Sequence, residues 1–248
     1  MKQLFSVLIL FLSVTSFVDA AESPVVRVAV ASNFALTLKE LVKDYENTNQ
    51  YRVSISQAST GKLFAQIIHG APYDIFFAAD EKRPDLLIKK NLVKTGVVYA
   101  QGKLVMLARG ERDFCQSALN KVTLNKLAIA NPKIAPYGLA AKQVLMSLNK
   151  WKTLQSKLVM GENVLQTYQF LLSGSADAGF IAKSLLENSG KLDTYCKWHV
   201  PLDLYQTLNQ KAVVLKRSKG NLAVESFFNY IQSDKAKIII RSNGYRVE

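Results

Sequence analysis

The 248-residue chain is 49% hydrophobic and 21% charged, carries a formal net charge of +13, and holds two cysteines and two histidines. Its lysines and arginines are scattered, with no run of five and no interleaved aromatic ladder. The charge therefore reads as a solvated surface that attracts small anions at long range, not as a nucleic-acid interface. His69 and His199 have no helpful spacing to further ligands, which excludes a metal-cation site of the usual His and Cys kind.

The first twenty residues are not expected to be part of the fold. Met1-Lys2-Gln3 is a short basic start, Leu4 to Val18 is almost wholly apolar, and Val18-Asp19-Ala20 offers small residues for cleavage. Residues 1–20 thus read as a secretory signal peptide cut after Ala20, with no cysteine nearby for a lipid anchor. The apolar run is shorter than the roughly 20 residues that cross a bilayer. Export also bears on Cys115 and Cys196. An isolated pair of thiols in an oxidising compartment predicts a structural disulfide.

In chain order, Arg27 to Ala31 predicts a β-branched, alanine-rich strand ending in Ser32-Asn33. A helix follows, with Leu38, Leu41, Val42 and Tyr45 on one stripe, and Ser32 and Asn33 stand where N-caps stand. Val53 to Gln57 alternates as a strand, Ser59-Thr60-Gly61 turns, and Leu63, Phe64, Ile67 and Ile68 start a second helix face. Asp74 to Ala78 is a strand, and Asp80 caps the helix containing Leu86, Leu87 and Ile88. Lys103 to Arg109 is a strand, followed by a polar irregular stretch through Cys115 to Asn125.

Leu127 to Ala130 is a short buried strand that runs into Asn131-Pro132-Lys133-Ile134-Ala135-Pro136-Tyr137-Gly138, then into a helix with Ala141, Val144, Leu145 and Leu148 on one face. The two prolines stiffen this connection, and Gly138 lets another group approach the backbone. Lys157 to Met160 is a strand, Gly161-Glu162-Asn163 a turn, and Val164, Tyr168, Leu171 and Leu172 a helix face. Ala178 to Ile181 and Ala212 to Leu215 are later strands, and Val224, Phe227, Phe228 and Ile231 mark a helix near the C-terminus. Strands alternating with helices predict α/β architecture with mainly parallel sheets. Four strand-to-helix turns then share hydroxyls and free N–H groups at Ser32-Asn33, Ser59-Thr60-Gly61, Pro136-Tyr137-Gly138 and Asn163-Val164. Such turns lie at the carboxyl ends of parallel strands, where open α/β sheets place ligands.

Catalytic motifs fare poorly. Ser59-Thr60-Gly61-Lys62 matches S-x-x-K and Lys94-Thr95-Gly96 matches K-T-G, both elements of penicillin-binding serine acyl-transferases. The intervening S-D-N is missing, and 31 residues between Lys62 and Lys94 leave little room for that fold. An exported acyl-transferase using Ser59 and Lys62 is the alternative this motif keeps open. The stretch Gly96 to Lys103 fails as a P-loop because five residues separate its glycines and Leu104 replaces Ser or Thr. What remains is a set of neutral donors. Removing an unpaired ion from water costs tens of kcal/mol. Several hydrogen bonds to a charged ligand, each contributing about 1.5–3 kcal/mol net, offset that loss, and helix N-termini add a favourable field. A site without Asp or Glu suits a fully ionised oxyanion.

These residues carry a family resemblance. Ala29-Val30-Ala31-Ser32-Asn33-Phe34, Ser59-Thr60-Gly61-Lys62, Gly70-Ala71-Pro72-Tyr73-Asp74, Ala78-Ala79-Asp80, Ile129 to Gly138, Gly161-Glu162-Asn163-Val164 and Tyr168-Gln169-Phe170 resemble, in order, the periplasmic molybdate-binding proteins of ABC transporters. The resemblance runs from about Val25 to the C-terminus. It implies a two-lobed periplasmic-binding-protein fold crossed twice by the chain, with residues 21–103 plus 211–248 as the first lobe and 104–210 as the second. The strands Lys103 to Arg109 and Ala212 to Leu215 would lie at the hinge. It implies a monomeric, non-enzymatic receptor in the periplasm that needs no cofactor. Such a receptor captures molybdate or tungstate, as an oxyanion rather than a metal cation, and delivers it to the permease. Sulfate or phosphate is the nearest rival ligand.

The family's ligand positions fall on Ser32, Thr60, Tyr137 and Val164, with Asn33 joining in one branch. Ser32 and Thr60 would each give a hydroxyl and a backbone N–H, and Tyr137 and Val164 backbone N–H groups. Two departures stand out. Thr60 replaces a frequent serine, and Ala182 stands where some relatives carry a tyrosine whose hydroxyl binds, a space that Tyr137 can fill.

Overall fold

The computed structural model describes residues 25–110, 115–121, 123–187 and 194–247. The leader assigned to residues 1–20 lies outside the described residues. Ten strands form two five-stranded sheets among them. The first sheet has the order β2-β1-β3-β10-β4, from β1 (Val25–Ala31), β2 (Arg52–Ala58), β3 (Ile75–Phe77), β4 (Val93–Gly102) and β10 (Leu208–Leu215). The second has the order β7-β6-β8-β5-β9, from β5 (Leu104–Arg109), β6 (Leu127–Ala130), β7 (Leu158–Gly161), β8 (Ala178–Ala182) and β9 (Tyr195–His199). Each sheet with its helices is one lobe of a two-lobed periplasmic-binding-protein fold.

The sheets are mixed, which corrects the expectation of mainly parallel pairing. In the first, β1 is parallel to β2 and β3, while β10 is antiparallel to β3 and β4. In the second, β6 is parallel to β7 and β8, while β5 is antiparallel to β8 and β9. The cause is the double crossing. The chain leaves the first sheet along β4, passes Lys103 into β5, and returns along β10 beside β4. Neighbouring strands that carry a chain out and back must run in opposite directions. β10 pairs with β4 from Leu208 onward, so residues 208–210, counted from sequence with the second lobe, lie in the first sheet opposite Gly102, Gln101 and Ala100.

The strand period of two sorts the first sheet's side chains between two cores. Val26, Val28 and Val30 of β1, Ile75 and Phe77 of β3, and Ala212 and Val214 of β10 face one cluster. That face is covered by α1 (Ala35–Glu46), α7 (Leu222–Ile231) and α8 (Asp234–Ser242), through Leu38, Leu41, Val224, Phe227 and Ile240. Ala29, Phe76, Val213 and Leu215 face the other cluster, with Leu63 and Ile67 of α2 (Thr60–Ile68) and Leu87 of α3 (Lys82–Lys89). Of the three consecutive apolar residues Leu86, Leu87 and Ile88 in α3, only Leu87 is buried. Consecutive residues diverge by about 100° around a helix, so Leu86 and Ile88 point away. The second sheet packs against α4 (Pro136–Ser147) and α6 (Val164–Leu172) in one continuous core, with the short α5 (Trp151–Leu154) at its margin. Cys115 and Cys196 form the predicted disulfide, their Cα atoms 5.3 Å apart.

Candidate functional site

Four turns at strand ends meet between the lobes, and each is shaped by where its backbone donors go. After β1, the Ser32 N–H donates to Ala58 O at 3.0 Å and the Phe34 N–H to Ala31 O at 2.9 Å. The Asn33 N–H lies between these two bonds and belongs to neither. Ser32 and Asn33 do not cap α1 as the sequence suggested; the N-cap position is Phe34, without a side-chain cap bond. The Asn33 amide instead donates to Gln210 Oε1 at 2.8 Å and to the Tyr245 hydroxyl at 3.1 Å. The Ser32 N–H, assigned to the anion by resemblance, is engaged by Ala58, which leaves the Ser32 hydroxyl as that residue's donor.

At α2 the donors divide three ways. Ser59 Oγ accepts the Lys62 N–H at 3.4 Å as the N-cap. The Gly61 N–H donates across the lobes to Ile134 O at 2.8 Å. Thr60, the first helical residue, keeps its N–H for the cavity, because the first N–H groups of a helix have no intrahelical acceptor. Its hydroxyl accepts the Ala79 N–H at 3.2 Å, which fixes the side chain and leaves the hydroxyl proton free to be donated.

The third turn enters α4 with Ala135 at the N-cap and Pro136 at the first position, where a missing N–H costs nothing. Tyr137 follows with its N–H at the open end. Gly138 is required here because a Cβ would stand 2.0 Å from Ala130 O, the end of the preceding strand. In the fourth turn Asn163 Oδ1 accepts the Leu165 and Gln166 N–H groups at 3.0 and 3.1 Å. That cap satisfies the second and third donors of α6 and leaves the first, on Val164.

These turns enclose a cavity of about 190 Å³, its mouth included, lined by Ser32, Asn33, Thr60, Tyr137 and Val164 together with Ala31, Ser59, Ala79, Ala135, Pro136 and Asn163. All five residues singled out from sequence are thus brought to one place. The space open to a ligand's centre is only about 10 Å³, far below the roughly 300–1,000 Å³ of sites for drug-sized ligands, so nothing larger than an ion of a few atoms suits it. No Asp, Glu, His, Lys or Arg lines it. The positive field comes from three helix N-termini, those of α2, α4 and α6. Burial, and then the neighbouring Tyr245, raises the Tyr137 phenol well above its ordinary value, so it stays neutral at physiological pH. A wider groove beside the cavity, between Asp80–Arg83 and Leu139–Gln143, carries charges of both signs and lacks such convergence.

Sequence reasoning missed the support behind the turns. Gln210, fully buried, accepts from Asn33 and from the Tyr99 hydroxyl at 2.8 Å each and donates to the Tyr137 hydroxyl at 3.1 Å. Asn33 O accepts the Tyr245 hydroxyl at 2.7 Å and the Ser184 hydroxyl at 3.0 Å. The sequence carries little signal for this support, since Gln210 stands between Asn209 and Lys211 in the polar half of β10. Tyr137's ring reaches the end of β4, where its hydroxyl would stand 2.1 Å from a Cβ on Gly102.

The acyl-transferase constellation does not assemble. Ser59 is a helix cap, and the Lys62 ammonium pairs with Glu162 at 2.6 Å on the rim. Lys94 of the K-T-G match lies on β4 and pairs with Glu225. Asp80 stands one residue before Glu81, the N-cap position of α3, so it is not the cap itself; its carboxylate still accepts the Arg83 N–H at 3.0 Å, a structural role.

A model of the bacterial extracellular solute-binding protein family matches residues 26–246. The chain is 39% identical over 233 residues to the molybdate-binding protein ModA of Azotobacter vinelandii, covering 92% of each. It is 36% identical to the molybdate-binding protein ModA of Rhodobacter capsulatus, covering 89% of this chain and 87% of that one. The solved periplasmic molybdate-binding protein of Azotobacter vinelandii superposes with a TM-score of 0.85 at 34% identity, over 90% of this chain and 99% of that one.

Proposed function

Because the chain belongs to the bacterial extracellular solute-binding protein family, we propose that it is a periplasmic receptor for molybdate or tungstate that hands its anion to an ABC permease. The observation that carries this reading is the convergence of three helix N-termini and the Ser32 turn on one small cavity without a carboxylate, histidine, lysine or arginine in its lining. The ligand would be held by the Ser32 and Thr60 hydroxyls and by the backbone N–H groups of Asn33, Thr60, Tyr137 and Val164. All are neutral donors, so a doubly charged anion meets dipoles instead of counter-charges. Phosphate, which retains a proton near neutral pH, would want an acceptor that no carboxylate here supplies. Sulfate is smaller than molybdate and would leave longer, weaker hydrogen bonds. The protein works as a monomer, without a cofactor, after export on the leader of residues 1–20.

Titration calorimetry against molybdate, tungstate, sulfate and phosphate tests the reading. Tight binding of the first two alone is expected. Preference for sulfate or phosphate would replace the ligand, and labelling of Ser59 by a β-lactam would replace the function.

A further inference from the structure

The N-terminal turn of α2 serves two partners with adjacent donors. Thr60 opens on the cavity, while the next N–H, on Gly61, donates to Ile134 O of the opposite lobe at 2.8 Å. The contact is backbone on backbone. A Cβ on Gly61 would lie 2.9 Å from both Ile134 Cα and Ile134 O and 3.0 Å from its Cβ, closer than carbon atoms pack. Gly61 is not among the glycines with positive φ, and it sits inside a helix, where alanine is the better former. The three atoms nearest such a Cβ all belong to Ile134 of the opposite lobe. The requirement comes from the other lobe, and it exists only when the lobes are together. Around this point the rim adds the Lys62–Glu162 pair and a bond from Arg83 Nη2 to Lys133 O at 3.2 Å, both made by long, adjustable side chains.

We propose that the Gly61–Ile134 backbone contact is the stop that sets how far the lobes close, which makes Gly61 a specificity-determining residue of the oxyanion site. Two rigid backbones in hydrogen-bonding contact cannot approach further, so the cleft has a fixed minimum width one residue from Thr60. An anion matching that width collects donors from both lobes. A smaller one cannot draw the lobes closer and loses part of the set. The size selection rests on the receptor reading above; the closure itself does not.

The test is Gly61→Ala in the full mature chain, with two separate readouts. In calorimetry, molybdate affinity should fall about tenfold or more, the factor by which the closed population is reduced. The melting temperature without ligand should be unchanged or up to about 4 °C higher. In the second arm, cysteines at Lys62→Cys and Glu162→Cys are joined by a short bifunctional maleimide without any anion, and Gly61→Ala should slow that cross-lobe reaction by a similar factor. Equal affinity and equal cross-linking would overturn the proposal. So would a lowered melting temperature of the ligand-free variant, since the conflict would then lie within one lobe. Failure of the unmodified protein to bind any of the four oxyanions would sink the receptor reading alone, because cross-linking uses no ligand.

Discussion

At the scale of single residues, the site works by dividing a few donors among fixed partners. Ser32→Ala removes a hydroxyl that would meet a charged ligand and leaves a ligand oxygen poorly solvated. Its molybdate affinity should fall by about 1–3 kcal/mol in calorimetry, and unchanged affinity would count against the assignment. Thr60 has a second duty, because its hydroxyl also accepts the Ala79 N–H. Thr60→Val should therefore weaken binding and lower the melting temperature together, whereas Thr60→Ser keeps both the donor and the acceptor and should stay near the parent. The five residues that the family resemblance implied all line the cavity, because the motifs that carry the resemblance are local and ordered. The use of each atom was not legible in the sequence. The Ser32 N–H goes to Ala58 and the Asn33 amide to Gln210, partners 26 and 177 residues away, and no local pattern encodes such distances.

Among the elements, the helices and most strands were readable; of the four edge strands β2 and β7 were found and β4 and β9 were not. Leu127 to Ala130 was found to the residue, and the four residues named for the α1 stripe are all buried, with Ala35 and Thr37 beside them, because buried elements are uniformly apolar or strongly periodic. Edge position alone is not the reason, since β2 and β7 are edges as well; β4 carries Gly96 and polar residues without clean alternation, and β9 is short with Lys197 and His199 exposed. The disulfide joins β9, at the margin of the second sheet, to the segment after β5 and closes a sequence separation of 81 residues. Replacing Cys115 and Cys196 together by alanine should reduce stability by about 2–4 kcal/mol, read from the urea midpoint. Affinity should be preserved, since neither cysteine lines the cavity. A variant with the parent's midpoint would show that the bridge does not limit stability.

Across the whole molecule, the anion site is tied to the hinge through a buried polar network without an ionised member at neutral pH. Burial raises Tyr99, Tyr137 and Tyr245 above the ordinary tyrosine value near 10. The unfolded chain then loses these protons first, so stability is fully present below about pH 10 and falls as pH rises beyond it. Affinity, by contrast, should be flat from about pH 6 to 9, because no group lining the cavity titrates there; a slope in that window would point to a charged residue in contact with the anion. Gln210 is the centre of the network. It stands on β10 in the first lobe and donates to the hydroxyl of Tyr137 on α4 in the second. If the lobes part on release, this bond breaks and must re-form on capture. Tyr137→Phe removes only the hydroxyl and leaves the Tyr137 N–H for the ligand. Gln210→Met keeps the volume but removes the acceptor shared by the Asn33 amide and the Tyr99 hydroxyl, leaving them only the longer bonds to the Tyr245 hydroxyl and Ala78 O. Each should weaken molybdate binding chiefly by faster dissociation. The double variant should lose less than the sum of the two, with a coupling of about 0.5–3 kcal/mol. Strictly additive losses would mean that the pair stays together as the cleft opens, and the hinge would then have to be stiffened elsewhere.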